Sequence, residues 1–196
     1  TGSVDTARHI ARALAGRDAP LAPLIAETGG VNAMIVDSTA LLEQVVDDAL
    51  VSAFRSAGQR CSALRLLCLQ EEIAPAALDM LIGATRELRI GDPRETSVHV
   101  GPVVDNEAKQ SLDRYIARRR AEGRVIYEGE TPEQGSFVAP VIVRLDHARD
   151  LREEIFGPVL HVTTWRAREF DALLHDIEAG GYGLTFGLET RIDARI

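Results

Sequence analysis

Cys61 has the setting of a nucleophile. It follows Ser56, Ala57, Gly58, Gln59 and Arg60, a small and flexible stretch between a long helical run and an apolar, strand-like run. A thiol in such a break can face a cleft while its own backbone N–H stays free to donate to a developing oxyanion. The same residue type is equally at home as a buried, inert side chain. Cys68, between Leu67 and Leu69, reads as core. Glu27 closes the apolar run Leu21–Ala26 and precedes Thr28, Gly29 and Gly30. A carboxylate at the end of a buried strand sits where α/β sheets build ligand sites, and partial desolvation there would suit it to act as a general base. The competing reading is an exposed loop glutamate. Gly2 and Ser3 at a helix start offer free N–H groups to a phosphate, although many ordinary helices begin this way. Glu153 and Glu154, followed by Ile155, Phe156, Gly157 and Pro158, are either solvated charge or a ribose-holding carboxylate beside an aromatic that packs on a flat ring.

These residues fall at the breaks between regular elements. Helical spacing runs over Val4–Leu14, with Ser3 as N-cap and Gly16 as stop. Leu21–Ala26 and Ala33–Val36 read as buried strands. Asp37 or Ser38 caps a long helix with one apolar face through Ala53. Leu64–Leu69 is strand-like, and Pro75–Leu88 and Asp105–Ala121 are helical. Val125–Tyr127, Val138–Val143 and Val159–Trp165 are strands, Glu169–Ala179 is a helix, and Leu184–Leu188 is a last strand. Strands alternating with helices predict an α/β architecture with a mainly parallel sheet.

Composition removes several classes of function. The 196 residues carry 22 Lys plus Arg against 30 Asp plus Glu, a formal charge of -8, with 45% hydrophobic residues. An acidic chain with no concentrated positive surface does not suit nucleic acid or an anionic membrane. Its one basic run, Arg118–Arg120, reads as a solvated helix face. Charges interrupt the apolar stretches well short of the roughly 20 residues that a membrane span needs. Two cysteines outside any CxxC pair exclude a disulfide framework and structural zinc, so a reducing, cytoplasmic setting is expected. The five histidines, at 9, 99, 147, 161 and 175, form no i, i+4 pair, and no metal site is expected. Lys109 is the sole lysine and lies in a polar, helix-like stretch, which leaves Schiff-base chemistry a single poor candidate.

In order along the chain, GS at Gly2–Ser3, ETGG at Glu27–Gly30, GQRC at Gly58–Cys61 and EEIFGPV at Glu153–Val159 resemble the motifs of the aldehyde dehydrogenase superfamily. IGDP at Ile90–Pro93 and GPVVD at Gly101–Asp105 add to the match. Within the superfamily the chain is most similar to the dehydrogenase domain of the bifunctional proline utilization A enzymes, through IAETGGVNAMIVDS (Ile25–Ser38), SAGQRCSALR (Ser56–Arg65) and GYGLTFGLETRID (Gly181–Asp193). The resemblance implies oxidation of L-glutamate γ-semialdehyde to L-glutamate, with Cys61 attacking the aldehyde carbon. The resulting hemithioacetal passes hydride to NAD and becomes a thioester. Glu27 matches the base that activates the hydrolytic water, and the Cys61 N–H matches half of the oxyanion hole. Gly2 and Ser3 match the pyrophosphate contact, Glu154 the ribose contact and Phe156 the nicotinamide contact. Ser62, Phe186 and Gly187 match the anchor for the substrate α-carboxylate.

The resemblance also implies an organisation: residues 1–30 as the trailing remnant of a Rossmann-like dinucleotide-binding domain, and residues 31–196 as the nucleophile-bearing catalytic domain, cut off at its end. The family's oxyanion-hole Asn and most of its cofactor domain have no counterpart here, so a fragment is expected, with the remainder of the parent chain as partner, a homo-oligomer at full length, and neither cofactor binding nor turnover alone. NADP stays open beside NAD, and FAD would belong only to a parent carrying a proline dehydrogenase domain. Other classes remain open too: a dehydrogenase for another small aldehyde, a non-redox Cys thioesterase, or a structural unit.

Overall fold

The computed structural model describes residues 1–192 and 194; Asp193, Arg195 and Ile196 lie outside the described residues, and with them the last residue of the GYGLTFGLETRID motif. The elements are α1 (Val4–Ala15), β1 (Asn32–Val36), α2 (Leu42–Phe54), β2 (Leu64–Gln70), α3 (Ala74–Arg86), α4 (Asn106–Ala121), β3 (Val125–Glu128), β4 (Val141–Arg144), β5 (Val159–Trp165), α5 (Phe170–Ala179) and β6 (Phe186–Glu189). One six-stranded sheet runs in the order β3-β4-β5-β2-β1-β6. All neighbours are parallel except β3 and β4, which meet antiparallel. The expected α/β class with a mainly parallel sheet is therefore found.

The central strands β1 and β2 are buried along their whole length, as continuous apolar runs in a parallel sheet require. Alternation along β5 puts helices on both faces: His161 meets Tyr115 of α4, whereas Val162 and Thr164 line a groove with Ala74, Leu78 and Ile82 of α3. Cys68 lies fully buried in β2, and burial pushes its thiol pKa up, away from the thiolate. Trp165 on β5 donates its indole N–H to the Cys68 carbonyl at 3.1 Å.

Three sequence expectations change. Leu21–Ala26 is not a buried strand: it is irregular, with Leu21 fully exposed and Ile25 85% exposed, so Glu27 ends an exposed segment rather than a strand. A short apolar run has no periodicity of its own to separate buried strand from covered coil. Neither Asp37 nor Ser38 caps α2, which starts from Leu41 without a side-chain cap. Asp37 is buried and instead accepts from the N–H and hydroxyl of Thr39 and from the Thr190 hydroxyl, tying the ends of β1 and β6 together. Arg118–Arg120 is a paired face rather than simply a solvated one: Arg119 holds Tyr115 and Glu122, Arg120 holds Glu128, and Arg118 lies 3.8 Å from Glu153. The remaining helices and strands agree to within a few residues, and Ser3 caps α1 by accepting from Thr6 N–H.

His161 is the one histidine in the core. Its ring must donate from Nδ1, because the partner at 2.9 Å is the Arg65 carbonyl, so Nε2 accepts from the Tyr115 hydroxyl at 2.7 Å. Arg119 Nε donates to that hydroxyl at 3.0 Å, giving one directed chain from the surface into β2. Burial above all, with the nearby Arg119 and Arg65 cations, pushes the imidazole pKa down to about 4. The unfolded chain takes up this proton near pH 6.5 and the folded chain only near pH 4, so the stabilisation is complete above the first value and shrinks as pH falls toward the second. Denaturant titrations are expected to show a loss of about 2 kcal/mol between pH 7 and pH 5, absent from His161→Gln whatever that variant's baseline. An equal loss in the variant would assign the effect to other groups.

Candidate active site

The chemistry-bearing residues gather along the amino ends of the parallel strands. Cys61 precedes β2, Asn32 opens β1, Phe186 opens β6, and Glu154 and Phe156 precede β5. The carboxyl ends, where doubly wound sheets usually hold ligands, carry the Asp37–Thr190 clamp instead.

After α2 the chain enters a tight 3-10 turn over Arg55–Gly58, in which Ser56 (φ 58°) and Ala57 (φ 53°) are left-handed. Such residues cost about 1–3 kcal/mol each and persist only where their surroundings over-determine them. Gly58 (φ 65°) follows, and a Cβ there would lie 2.1 Å from the Gly157 carbonyl oxygen, so no side chain fits. Two side chains fix the turn. Gln59 donates from Nε2 to the carbonyls of Ser56 and Pro102 at 3.2 and 3.3 Å and accepts from Val104 N–H at 2.7 Å, which fastens the GPVVD segment to the turn. Arg65, fully buried in β2, donates to Gly157 O at 2.9 Å, Gly58 O at 2.6 Å and Arg60 O at 3.3 Å. Cys61 emerges from this turn exposed, and its backbone N–H has no hydrogen-bond partner among the described residues.

The Arg65 guanidinium also lies 3.6 Å from Glu154 Oε1 and 5.4 Å from the centre of the Phe156 ring. Burial draws its pKa down, opposed by the Glu154 charge. Glu154 Oε1 is itself buried and accepts no hydrogen bond among the described residues. Phe156 is half exposed.

The ETGG segment threads these pieces together. The Glu27 carbonyl accepts from Gly2 N–H at 3.1 Å. Gly29 passes so close to Glu154 that a Cβ would fall 1.7 Å from Oε2, and one on Gly30 would meet Asn32 Oδ1 at 2.9 Å and Cys61 O at 3.2 Å. A side chain at either position would displace the Glu154 carboxylate or press on the Asn32 amide and the Cys61 carbonyl. Glu27 itself is solvent-exposed, so the expected desolvation of its carboxylate is not found. Ser3 Oγ is engaged in capping α1 and lies 2.9 Å from the Thr6 hydroxyl. The peptide of Ser62 accepts from the Thr185 hydroxyl at 3.4 Å. Phe186 and Gly187 lie in β6, opposite Ala33 and Met34, within the strand expected over Leu184–Leu188. Among the described residues β6 pairs with β1 on one side only, so successive N–H groups point alternately toward and away from β1.

Lys109 pairs with Asp113 at 2.8 Å on the surface of α4. No cluster of metal-ligating side chains occurs among the described residues, and no helix among them is long and apolar enough to cross a membrane.

Asn32, Gln59, Arg65 and His161 have no role in the sequence reading, although they hold the site. Arg65 left a trace: a charge inside LRLLCLQ must be paired if that run is a buried strand.

A family model described as "Aldehyde dehydrogenase family" matches residues 1–196. The "Bifunctional protein PutA" of Klebsiella aerogenes is 52% identical over 207 residues, which is 100% of this chain and 16% of that relative. A crystal structure of bifunctional proline utilization A superposes with a TM-score of 0.97 at 57% identity, covering 99% of this chain and 20% of that one. A 1-pyrroline-5-carboxylate dehydrogenase from Thermus, with bound NAD, gives 0.86 at 33% identity over 98% of this chain and 38% of that one. The chain thus spans about a sixth of the length of the curated relative it matches.

Arg65→Lys keeps the charge but not the planar fork, and a lysine cannot reach the carbonyls of Gly58 and Gly157 in their present geometry while facing Glu154. The substitution is expected to cost about 3 kcal/mol in urea denaturation, with an unchanged slope. A loss under about 1 kcal/mol would show that the turn holds without it.

Proposed function

Because the chain belongs to the aldehyde dehydrogenase family, we propose that it carries the nucleophile of an enzyme that oxidises L-glutamate γ-semialdehyde to L-glutamate with NAD. The observation that carries the reading is Cys61, exposed on a strained turn that two buried or bridging side chains hold in place, with an unpartnered backbone N–H beside it. The substrate assignment is supported by the likeness to PutA and to a 1-pyrroline-5-carboxylate dehydrogenase.

In this reading Cys61 Sγ, as thiolate, adds to the aldehyde carbon, and the Cys61 N–H donates to the oxygen as negative charge develops there. Glu27 takes the proton of the water that cleaves the thioester, and its exposure gives that water access. Ser62, Phe186 and Gly187 form the anchor for the substrate α-carboxylate, through whichever β6 N–H points away from β1.

A dinucleotide suits the residues at the mouth of the site. Glu154 Oε1 is a buried acceptor without a donor, as a ribose hydroxyl would require, and Phe156 offers a half-exposed ring. Gly2 and Ser3 at the start of α1 would meet the pyrophosphate, with the α1 dipole favouring its charge. When bound, NAD supplies the hydride acceptor.

We assign residues 1–30 to a dinucleotide-binding unit and residues 31–196 to the catalytic unit. In support, α1 has no buried residue, and Leu24, Ile25 and Ala26 line only a small crevice with Ala7 and Ile10.

The test is a chimera in which the 196 residues replace the matching segment of the Klebsiella aerogenes relative. NAD reduction with glutamate semialdehyde is expected to fall by at least about a thousandfold in Cys61→Ser and to survive Cys68→Ala. Glu27→Gln is expected to release one equivalent of NADH rapidly and then stall as a thioester. Turnover by Cys61→Ser, or an undiminished steady state in Glu27→Gln, would overturn the assignment.

A further inference from the structure

Asn32 is 3% exposed and uses its amide in three directions. Nδ2 donates to the Cys61 carbonyl at 2.8 Å and to the Ala63 carbonyl at 2.7 Å, while Oδ1 accepts from Thr185 N–H at 3.1 Å. Both donors and one acceptor lone pair are thereby engaged. One planar group thus ties the peptide of Cys61 to the residue that leads into Phe186.

The backbone explains why a side chain is needed. The β1–β2 register slips between Asn32 and Ala33, which face Leu64 and Leu66, and the β1–β6 ladder begins only at Ala33 and Phe186. Asn32 therefore pairs with Leu64 just before that slip on one side, while on the other the ladder to β6 has not yet begun. The amide reinforces the first link and supplies the second: its donors face the chain entering β2, and its acceptor faces the chain entering β6. A carboxylate of the same shape would set an oxygen against two carbonyl oxygens. A hydroxyl could donate to only one of them.

We propose that Asn32 is a positioning residue that sets the Cys61 turn and the 185–187 segment in one geometry, so that thiol orientation and preference for carboxylate-bearing substrates change together. The proposal rests on the roles given above to Cys61 and to Phe186 and Gly187. A residue that served only to hold the fold would lower stability without moving the preference.

Asn32→Asp and Asn32→Ser in the chimera separate these possibilities. Alkylation of Cys61 by iodoacetamide reports the turn. The ratio of iodoacetate to iodoacetamide rates reports the carboxylate anchor, and neither needs cofactor or turnover. Steady-state kinetics then compare glutamate semialdehyde with a straight-chain aldehyde of equal length that lacks the carboxylate and amine. Asn32→Asp is expected to slow alkylation and turnover of both aldehydes roughly tenfold, and to lower the preference for the carboxylate-bearing partner by a further factor of roughly three, in both assays. Asn32→Ser should fall between parent and Asn32→Asp, and it decides the question if the aspartate variant does not fold. Variants that fold with parental circular dichroism and change only one of the two readouts, or neither, overturn the proposal. An unsubstituted chimera that oxidises neither aldehyde would instead overturn the dehydrogenase reading and leave the two alkylation readouts to decide the role of Asn32.

Discussion

The Arg65 guanidinium is the contact on which the site depends. A buried cation must be compensated, and here the carbonyls of Gly58, Arg60 and Gly157 accept its hydrogen bonds while the Glu154 carboxylate, 3.6 Å away, supplies the opposite charge. Each belongs to a segment with a separate job: Gly58 and Arg60 to the turn before Cys61, Glu154 and Gly157 to the loop before β5. One desolvated charge therefore fixes the distance between Cys61, read as the nucleophile, and the side chains read as facing the nicotinamide end of the dinucleotide. Its own main chain is fixed in turn by His161, whose imidazole donates to the Arg65 carbonyl. Charge and backbone are thus held from opposite ends of one residue.

The left-handed turn is the counterpart of that charge. Ser56 and Ala57 hold conformations that L residues avoid, and the free energy needed to keep them there comes from Arg65 on one side and Gln59 on the other. The result is a short, stiff pedestal that lifts Cys61 clear of the sheet while Cys68, seven residues later, is sealed in it. Two thiols of identical intrinsic chemistry are divided by burial alone.

Most of the fold was legible because periodicity and punctuation carry it: the apolar face of α2, the leucines of β2 and the Ser3 cap all reappear. The strand assigned to Leu21–Ala26 failed because apolar composition says that a segment wants cover, not which conformation it takes when none of this sheet's strands receives it. The Asp37 cap failed because competing partners hold its carboxylate: Thr39 two residues on, and Thr190, which lies 153 residues away. Of the site, the ends of the motifs were visible and the middle was not. Cys61, Glu154 and the glycines of ETGG are set by local type and spacing. Asn32 and Arg65 act through carbonyls of residues remote in sequence, and a carbonyl leaves no mark in a sequence.

The pairing of β6 with β1 has a bearing on how the molecule is made. These neighbours are joined by the Asp37–Thr190 contact across 153 residues, whereas β1 and β2 are close in the chain. During synthesis the outer edge of β1, a row of peptide groups on the apolar sequence NAMIV, stays bare until a strand about 150 residues further along has emerged. The 185–187 segment, read as the substrate anchor, therefore joins the sheet only after the turn before Cys61 and β1–β2 have been made. Until β6 arrives, the nascent protein holds the turn before Cys61 beside an open strand edge, the state in which a chaperone has most to protect.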